Sequence, residues 1–380
     1  MSRLRKKKPI KKGFWIVTIL FWIVIVSLNG AALLIPGFSD WYTDHIMPLW
    51  VNSYGRLTGL AGFSVGEILI VAALILILAT IIFSILFLFM FRKKAYRRFM
   101  AGFYKTDIAI ITIVCLIMTL NCAIQYHCST IDANPEKETR QYTTSELYTL
   151  RNYIVSKCNE YSEQIERDED GLAVYSGDLQ QTAKNAMQNI SSIYPRLSGY
   201  YPDVKPLHFS SLMSQMYMEG YYFPFSMEAN TNSLMYITNC PECYCHELSH
   251  LHGYLFEDES NFISFLACTQ SSDTFFNYSG YMKVLNYVCN AFAPYSDTLN
   301  DDQLSQWVTA NDLVNRDNIF LTSEMWEDVE SEALISTETV SEASDAFTDA
   351  TLKMNGVSDG AASYSRVVGL LLEYYDGILY

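Results

Sequence analysis

The chain has 380 residues, half of them hydrophobic, with 26 Lys or Arg against 41 Asp or Glu and a formal net charge of −15. That length holds one or two domains with a substantial core. The acidic balance leaves no electrostatic case for nucleic acid as a partner.

Apolar residues concentrate in the first 125 positions. Three runs there approach the roughly 20 residues that cross the hydrocarbon of a bilayer. They are Gly13 to Pro36, Ile68 to Phe91 and Ile108 to Ile124. One such run is compatible with a buried core helix, but three in succession predict three transmembrane helices. The first is long for a signal-peptide core and ends without a clear small-residue cleavage site, so it reads as a retained anchor.

Charge sets the expected orientation. The N-terminal segment MSRLRKKKPIKK carries seven Lys or Arg and the link RKKAYRR carries five, whereas Gly37 to Gly66 holds only Arg56. Basic segments stay cytoplasmic. The expected organisation is a basic cytoplasmic tail at 1–12, a three-span region at 13–125 and an extracytoplasmic domain at 126–380. This is a multi-pass protein of the cell membrane, with the lipid bilayer itself as one partner.

From Gln125 onward there are 12 basic and 37 acidic residues, a net charge of −25, against +10 for the first 125 positions. A domain this acidic is held off an anionic membrane surface, and a peptide or protein is the better partner. Seven cysteines lie beyond the third span: Cys128, Cys158, Cys240, Cys243, Cys245, Cys268 and Cys289. The odd number leaves at least one thiol unpaired within the chain. The CPEC stretch at Cys240 to Cys243 can close a small disulfide, and no second CxxC completes a four-cysteine zinc site.

A polar linker, Ile131 to Leu147, leads into a helix capped near Thr144 or Ser145. A second helix is expected from about Leu179 to Ile193. Pro and Gly then impose turns, and YYFPFSMEANTNSLMYI reads as two short extended pieces. After Pro241 helices dominate, near 241–252, 257–271, 280–293, 301–313, 324–355 with breaks, and 364–377.

The chemistry concentrates in CHELSHLHGYLFEDESNF, Cys245 to Phe262. His246 and His250 are four apart, so on a helix they share one face and aim two imidazoles at a single point. That is the geometry of a catalytic zinc with three protein ligands and an open position. Glu247 projects beside that point, placed to act as general base toward a zinc-bound water and then as acid toward the leaving amine. A solvated surface helix spells the same five residues, and context argues against that reading. Asn239 is a plausible cap, Pro241 lies in the first turn, and Gly253 offers a left-handed turn that returns the acidic cluster toward the histidines.

Glu257 and Glu259 compete as third ligand. They lie about 200° apart around a helix, so only one faces the metal, and Glu257 is favoured because it shares a face with Asn261, a group suited to orienting a ligand histidine. Asp258 reads as a dipole or capping charge. His252 falls on the far side of the helix and is expected to be exposed. His45, His127 and His208 are isolated and carry no functional signal.

Several blocks resemble bacterial multispan membrane proteins grouped as domain of unknown function 3810, whose outer domain is similar to zinc metallopeptidases. They are GYYFPFSMEANTN (Gly220 to Asn232), CHELSHLHGYLFEDESNFISFLAC (Cys245 to Cys268), YSGYMKVLNY (Tyr278 to Tyr287) and NGVSDGAASYSRVVGLLL (Asn355 to Leu372). The resemblance implies that His246, Glu247 and His250 form the metal-binding and catalytic trio. It aligns the family's E-D-E-A-N block with Glu257 to Asn261, Ser260 replacing Ala. That block is similar to the E-x-x-x-D helix of gluzincin peptidases, from which Asn261 departs. It also draws attention to Glu228, Tyr364 and Arg366, the last two as candidate oxyanion stabilisers.

The expected fold is that of a mainly α membrane protein. Three N-terminal transmembrane helices precede a mostly helical α+β domain with a small strand element, gluzincin-like by resemblance. The expected function is a membrane-anchored zinc metallopeptidase acting on peptides or proteins outside the cytoplasmic membrane, with one zinc ion on His246, His250 and Glu257. The alternative is a non-catalytic sensor or scaffold with a structural zinc. An intramembrane protease is set aside, because the motif is too polar to lie within an apolar span.

Overall fold

The computed structural model describes residues 12–134, 140–358, 360 and 366–380. Helices take 69 % of the chain and strands 3 %, so the single small sheet is an insertion in a helical body.

Three helices are long and apolar enough to cross a membrane: α1 (Lys12–Leu34), α2 (Val65–Met90) and α3 (Lys94–Met118), whose last turn continues as a π-type turn, Thr119–Ala123. The apolar window of α2 buries none of its residues against the protein. In water that surface would be strongly unfavourable, and a bilayer accommodates it. The third helix begins well before the apolar run at Ile108, because Lys94, Arg97 and Arg98 are good helix formers and only a short turn separates it from α2. Asn29 Nδ2 in α1 donates to Thr119 Oγ1 at 2.9 Å, a polar contact between apolar helices.

Residues between α1 and α2 form short helices, Phe38–His45, Met47–Trp50 and Arg56–Gly59, that pack on the rest of the molecule. Beyond α3, helix α4 (Thr144–Ser162) starts in a capping box: Thr143 Oγ1 accepts from Glu146 N–H and Glu146 Oε2 accepts from Thr143 N–H. Helix α5 (Leu179–Asn189) is capped by Asp178 and ends in a 3₁₀ turn at Ile190–Ser192, so the expected second helix is regular α only to Asn189.

The two expected extended pieces are strands β2 (Gly220–Phe223) and β3 (Glu228–Thr231), paired antiparallel. A two-residue β1 (Lys205–Pro206) adds parallel to β3, giving the order β1-β3-β2. Helices α6 (Cys240–Leu251), α7 (Glu257–Thr269) and α8 (Thr274–Phe292) follow. Helix α8 starts earlier than its apolar pattern suggests because Asp273 caps it. The expected 301–313 helix splits into Asp301–Ser305 and Asp312–Asp317, and the 324–355 segment into Ser323–Glu332 and Thr337–Met354. Helix α9 (Val367–Tyr375) closes the chain's regular structure.

One hydrophobic core unites α4, α5, α6, α7, α8 and α9, with Leu150, Ile154, Leu248, Phe262, Phe265, Phe276, Tyr278 and Leu371 all buried in it. Helix α6 lies at the centre of that core, with α7, α8 and the sheet around it. The face that carries His246 and His250 is therefore held on a rigid element rather than on a loop. The nine cysteines are all free, including Cys240 and Cys243 of CPEC, so the small disulfide is not formed in this structure.

Candidate metal centre

Helix α6 runs from Cys240 to Leu251 with Pro241 in its first turn, where its missing N–H costs nothing. Asn239 occupies the cap position but makes no capping bond; its Nδ2 instead donates to Ile319 O at 2.9 Å. At the other end Gly253 adopts φ 92°, the left-handed turn anticipated from the sequence. A side chain there would also collide with Thr43, so glycine is required twice over.

The turn returns the chain so that α7 begins at Glu257, beside the histidines. Glu257 Oε2 stands 3.2 Å from His246 Nε2 and 3.7 Å from His250 Nε2. One lone-pair atom from each of the three residues lies within 4.8 Å of the others. The side chains of His246 and Glu257 keep 11 % and 14 % of their surface exposed. Burial alone would raise the Glu257 carboxyl, but His250 and His246 hold it well below the usual carboxylate range. His250 shows the reciprocal effect: burial opposes its charge, yet Glu257 and Glu247 raise it to about 9.

Glu259 points elsewhere. It is buried, accepts from Ile131 N–H at 2.8 Å, and burial pushes its carboxyl up to about 8. The choice between the two glutamates is thus made by the start of α7, which faces Glu257 to the histidines and Glu259 to the linker after α3.

Glu247 is buried between these groups, and no protein group among the described residues hydrogen-bonds its Oε2. Burial pushes its carboxyl up to about 7, against the pull of His246 and His250.

The His250 imidazole is hydrogen-bonded from behind, whereas His246 Nδ1 has no hydrogen-bond partner among the described residues. His250 Nδ1 lies 2.7 Å from Tyr254 O and 3.1 Å from Ser260 Oγ, while Ser260 Oγ–H also donates to Tyr254 O. His246 Nδ1 is 3.9 Å from Glu242 Oε1. Glu242 is itself fixed by Ser264 Oγ–H at 2.6 Å and by Lys283 Nζ at 3.1 Å. Sequence reasoning missed Glu242, Ser264 and Lys283, although Glu242 stands four residues before His246 and so shares its face. It also assigned the orienting role to Asn261, whose buried Nδ2 has no hydrogen-bond partner among the described residues, whereas the neighbouring Ser260 contacts His250.

Gly220 was missed as well. A Cβ built on it would stand 2.8 Å from Glu247 Oε1 and 2.9 Å from Cγ, so the first residue of β2 presses backbone against the glutamate.

The other expected participants lie apart from this cluster. Glu228 is buried and paired with Lys205, and accepts from Gly66 N–H at 2.8 Å. Arg366 Nε binds Asp258 Oδ2 at 3.2 Å, which ties α9's start to the first turn of α7 and gives Asp258 a partner beyond the helix dipole. Tyr364 falls outside the described residues. His252 is not exposed: its Nδ1 contacts Arg196 O at 2.9 Å, its ring packs on Tyr201, and burial lowers it to about 4. The far side of α6 is covered by the segment around Arg196, which a helical wheel of α6 alone does not reveal.

A family model described as "Protein of unknown function (DUF3810)" matches residues 42–372. The chain belongs to this family. The match takes in the second and third apolar helices, the sheet and every residue of the His246, Glu247, His250 and Glu257 cluster. No curated protein and no solved structure matches the chain. The family description names no activity, so the chemistry rests on the residues themselves.

Proposed function

We propose that this protein is a membrane-anchored, zinc-dependent metallopeptidase that hydrolyses peptide bonds of peptides or proteins outside the cytoplasmic membrane. His246, His250 and Glu257 are the metal ligands and Glu247 is the general base. The single observation that carries this reading is the meeting of His246 Nε2, His250 Nε2 and Glu257 Oε2 within 4.8 Å, on helices joined by the Gly253 turn.

The spacing suits zinc. Around a tetrahedral ion with bonds of roughly 2.0–2.1 Å, neighbouring ligand atoms stand ~3.3 Å apart, close to the 3.2 and 3.7 Å separations from Glu257. The donor set of two imidazoles and one carboxylate leaves room for a fourth ligand, as catalytic sites require. A zinc ion held there would supply Lewis acidity, polarising the scissile carbonyl and acidifying water.

The remaining work falls to the chain. Tyr254 O holds the His250 imidazole in place, and Glu242 puts a carboxylate 3.9 Å from His246 Nδ1. Glu247, buried and pushed up to about 7, takes a proton from the attacking water at its carboxylate and returns it to the leaving nitrogen. Basic residues after α2 and before α1 support a cytoplasmic position for those ends, placing the candidate site on the opposite side.

The test is hydrolysis of a degenerate peptide mixture by zinc-loaded full-length protein in detergent, followed by mass spectrometry. Wild type is expected to release fragments and Glu247→Gln to release none while retaining zinc. Equal release by both proteins would end the peptidase reading.

A further inference from the structure

The candidate site is built onto the ends of the second and third apolar helices and onto the short helix that follows the first. Strand β2 is the clearest ruler. Its first residue, Gly220, touches Glu247, and its last, Phe223, packs on Gly66 at the start of α2, with a ring atom 2.8 Å from where a Cβ would stand. Three residue-to-residue steps of strand span the two contacts, a distance of ~10 Å.

The turn after β2 is fastened to the same helix ends. Asn121, in the last turn of the third helix, donates to Pro224 O at 2.9 Å, and Thr58 Oγ1–H donates to Ser226 O at 2.8 Å. Glu228 accepts from Val65 N–H and Gly66 N–H, so its carboxylate sits on the N-terminus of α2. On the other side of the site, Phe256, the residue before Glu257, packs its ring on Tyr126 at 5.8 Å, just beyond the end of the third helix. The Gly253 turn rests on Thr43, shortly after α1.

The surface around these attachments is apolar. Leu57, Leu60 and Phe63 lead into α2 with 66 %, 83 % and 56 % of their surface exposed. Phe209 and Leu212, half exposed, lie beside them, because Glu67 in the first turn of α2 accepts from the backbone N–H groups of His208 and Phe209. Such residues at the rim of spanning helices belong in the interface of a bilayer. Glu247 therefore lies within roughly 10–15 Å of the Gly66 end of α2, which sets the upper limit of its height above the hydrocarbon.

An extended polypeptide covers that height in about three to five residues. We propose, resting on the peptidase reading above, that the substrate is the membrane-adjacent segment of a polypeptide anchored in the same bilayer, cut within about three to six residues of the point where it leaves the lipid. A site at this height meets anchored chains as they emerge, and a scissile bond far out on a long tether must fold back to reach it.

The experiment uses full-length protein reconstituted with zinc in phospholipid vesicles. The probe is a hydrophobic helix carrying two tandem copies of one randomised segment, beside the same tandem segment without the helix. Both copies ride on one anchor and share its surface density, so the comparison between them reports distance from the anchor rather than co-localisation. Cleavage of the proximal copy at least about tenfold faster than the distal copy is expected, with cuts clustered next to the anchor, as a ~1.4 kcal/mol preference requires. Equal cutting of the two copies, or faster cutting of the distal one, overturns the membrane-proximal substrate and leaves the peptidase reading standing. Absence of cutting in every probe, anchored or free, removes the peptidase reading and this inference with it.

Discussion

Gly220 and Glu247 are in contact across the gap between strand β2 and helix α6, where a single methyl group would meet the Asn230 backbone oxygen of β3 at 2.5 Å and the Glu247 carboxylate at 2.8 Å. The strand cannot retreat, because its opposite end is fixed on Gly66 and its partner strand is β3. Gly220→Ala is therefore expected to disturb the β2–β3 pairing at Asn230 and push Glu247 off its position, while α6 and α7 keep the proposed metal ligands in place. A displacement of this kind costs on the order of 10²-fold in rate. The check is kcat/KM on any peptide found to be cut, beside zinc content. Retained zinc with lost turnover is predicted, and unchanged turnover would show that Glu247 tolerates the shift.

Glu242 is expected to act on metal affinity through His246. Its carboxylate is held by Ser264 and Lys283 and lies 3.9 Å from His246 Nδ1. Groups that orient a ligand imidazole typically contribute about 10–100-fold in metal affinity. Zinc competition with a chromogenic chelator is predicted to show a loss of that size for Glu242→Ala, with Glu242→Gln weakened less. Ser260→Ala is expected to lose less still, because Tyr254 O alone accepts from His250 at 2.7 Å.

The pH dependence of stability should carry the signature of Glu259. Its folded-state value is raised to about 8 by burial, above the ordinary carboxyl value of 4.5. The folded chain thus holds a proton that the unfolded chain releases between those values, and stability falls as pH rises through this window. The contribution is fully present below about pH 4.5 and lost above about pH 8. Metal-free Glu259→Gln, which cannot ionise and keeps an acceptor for Ile131 N–H, is predicted to gain more than about 1 kcal/mol over wild type at pH 8. Thermal unfolding of both proteins from pH 5 to 8 measures it, and parallel curves would contradict the assignment.

Lys205 and Glu228 form a buried ion pair whose side chains keep 5 % and 2 % of their surface exposed. Removing one partner of such a pair strands the other charge and costs about 3–5 kcal/mol. Lys205→Met is predicted to lose stability in that range in detergent, since Glu228 also anchors the start of α2. Chemical denaturation reads the loss, and a change below about 1 kcal/mol would show that the helix end compensates the carboxylate by itself.

Much of this arrangement is legible in the sequence. The apolar runs, the spacing of His246 and His250 and the Gly253 turn each follow from a local rule, and the structure places those residues accordingly. The same rules fail where distant segments meet. Glu257 and Glu259 are distinguished by what faces the start of α7, with the histidines on one side and Ile131 on the other. His252 is buried by the chain around Arg196, more than fifty residues away. Glu228 looked like a site residue because it sits in a characteristic block, yet its partner is Lys205 and its task is to join the sheet to α2. Gly220 carries no local signal, since its role is the close approach of a strand to a helix.

The most direct test of the central claim is metal analysis of purified full-length protein, wild type beside His246→Ala, Glu257→Ala, Glu259→Ala and Glu247→Gln. The predicted result is one zinc per chain in wild type, Glu259→Ala and Glu247→Gln, and loss of zinc in His246→Ala and Glu257→Ala. Wild-type protein that takes up no zinc, or Glu257→Ala that keeps it as tightly as wild type, would contradict the account.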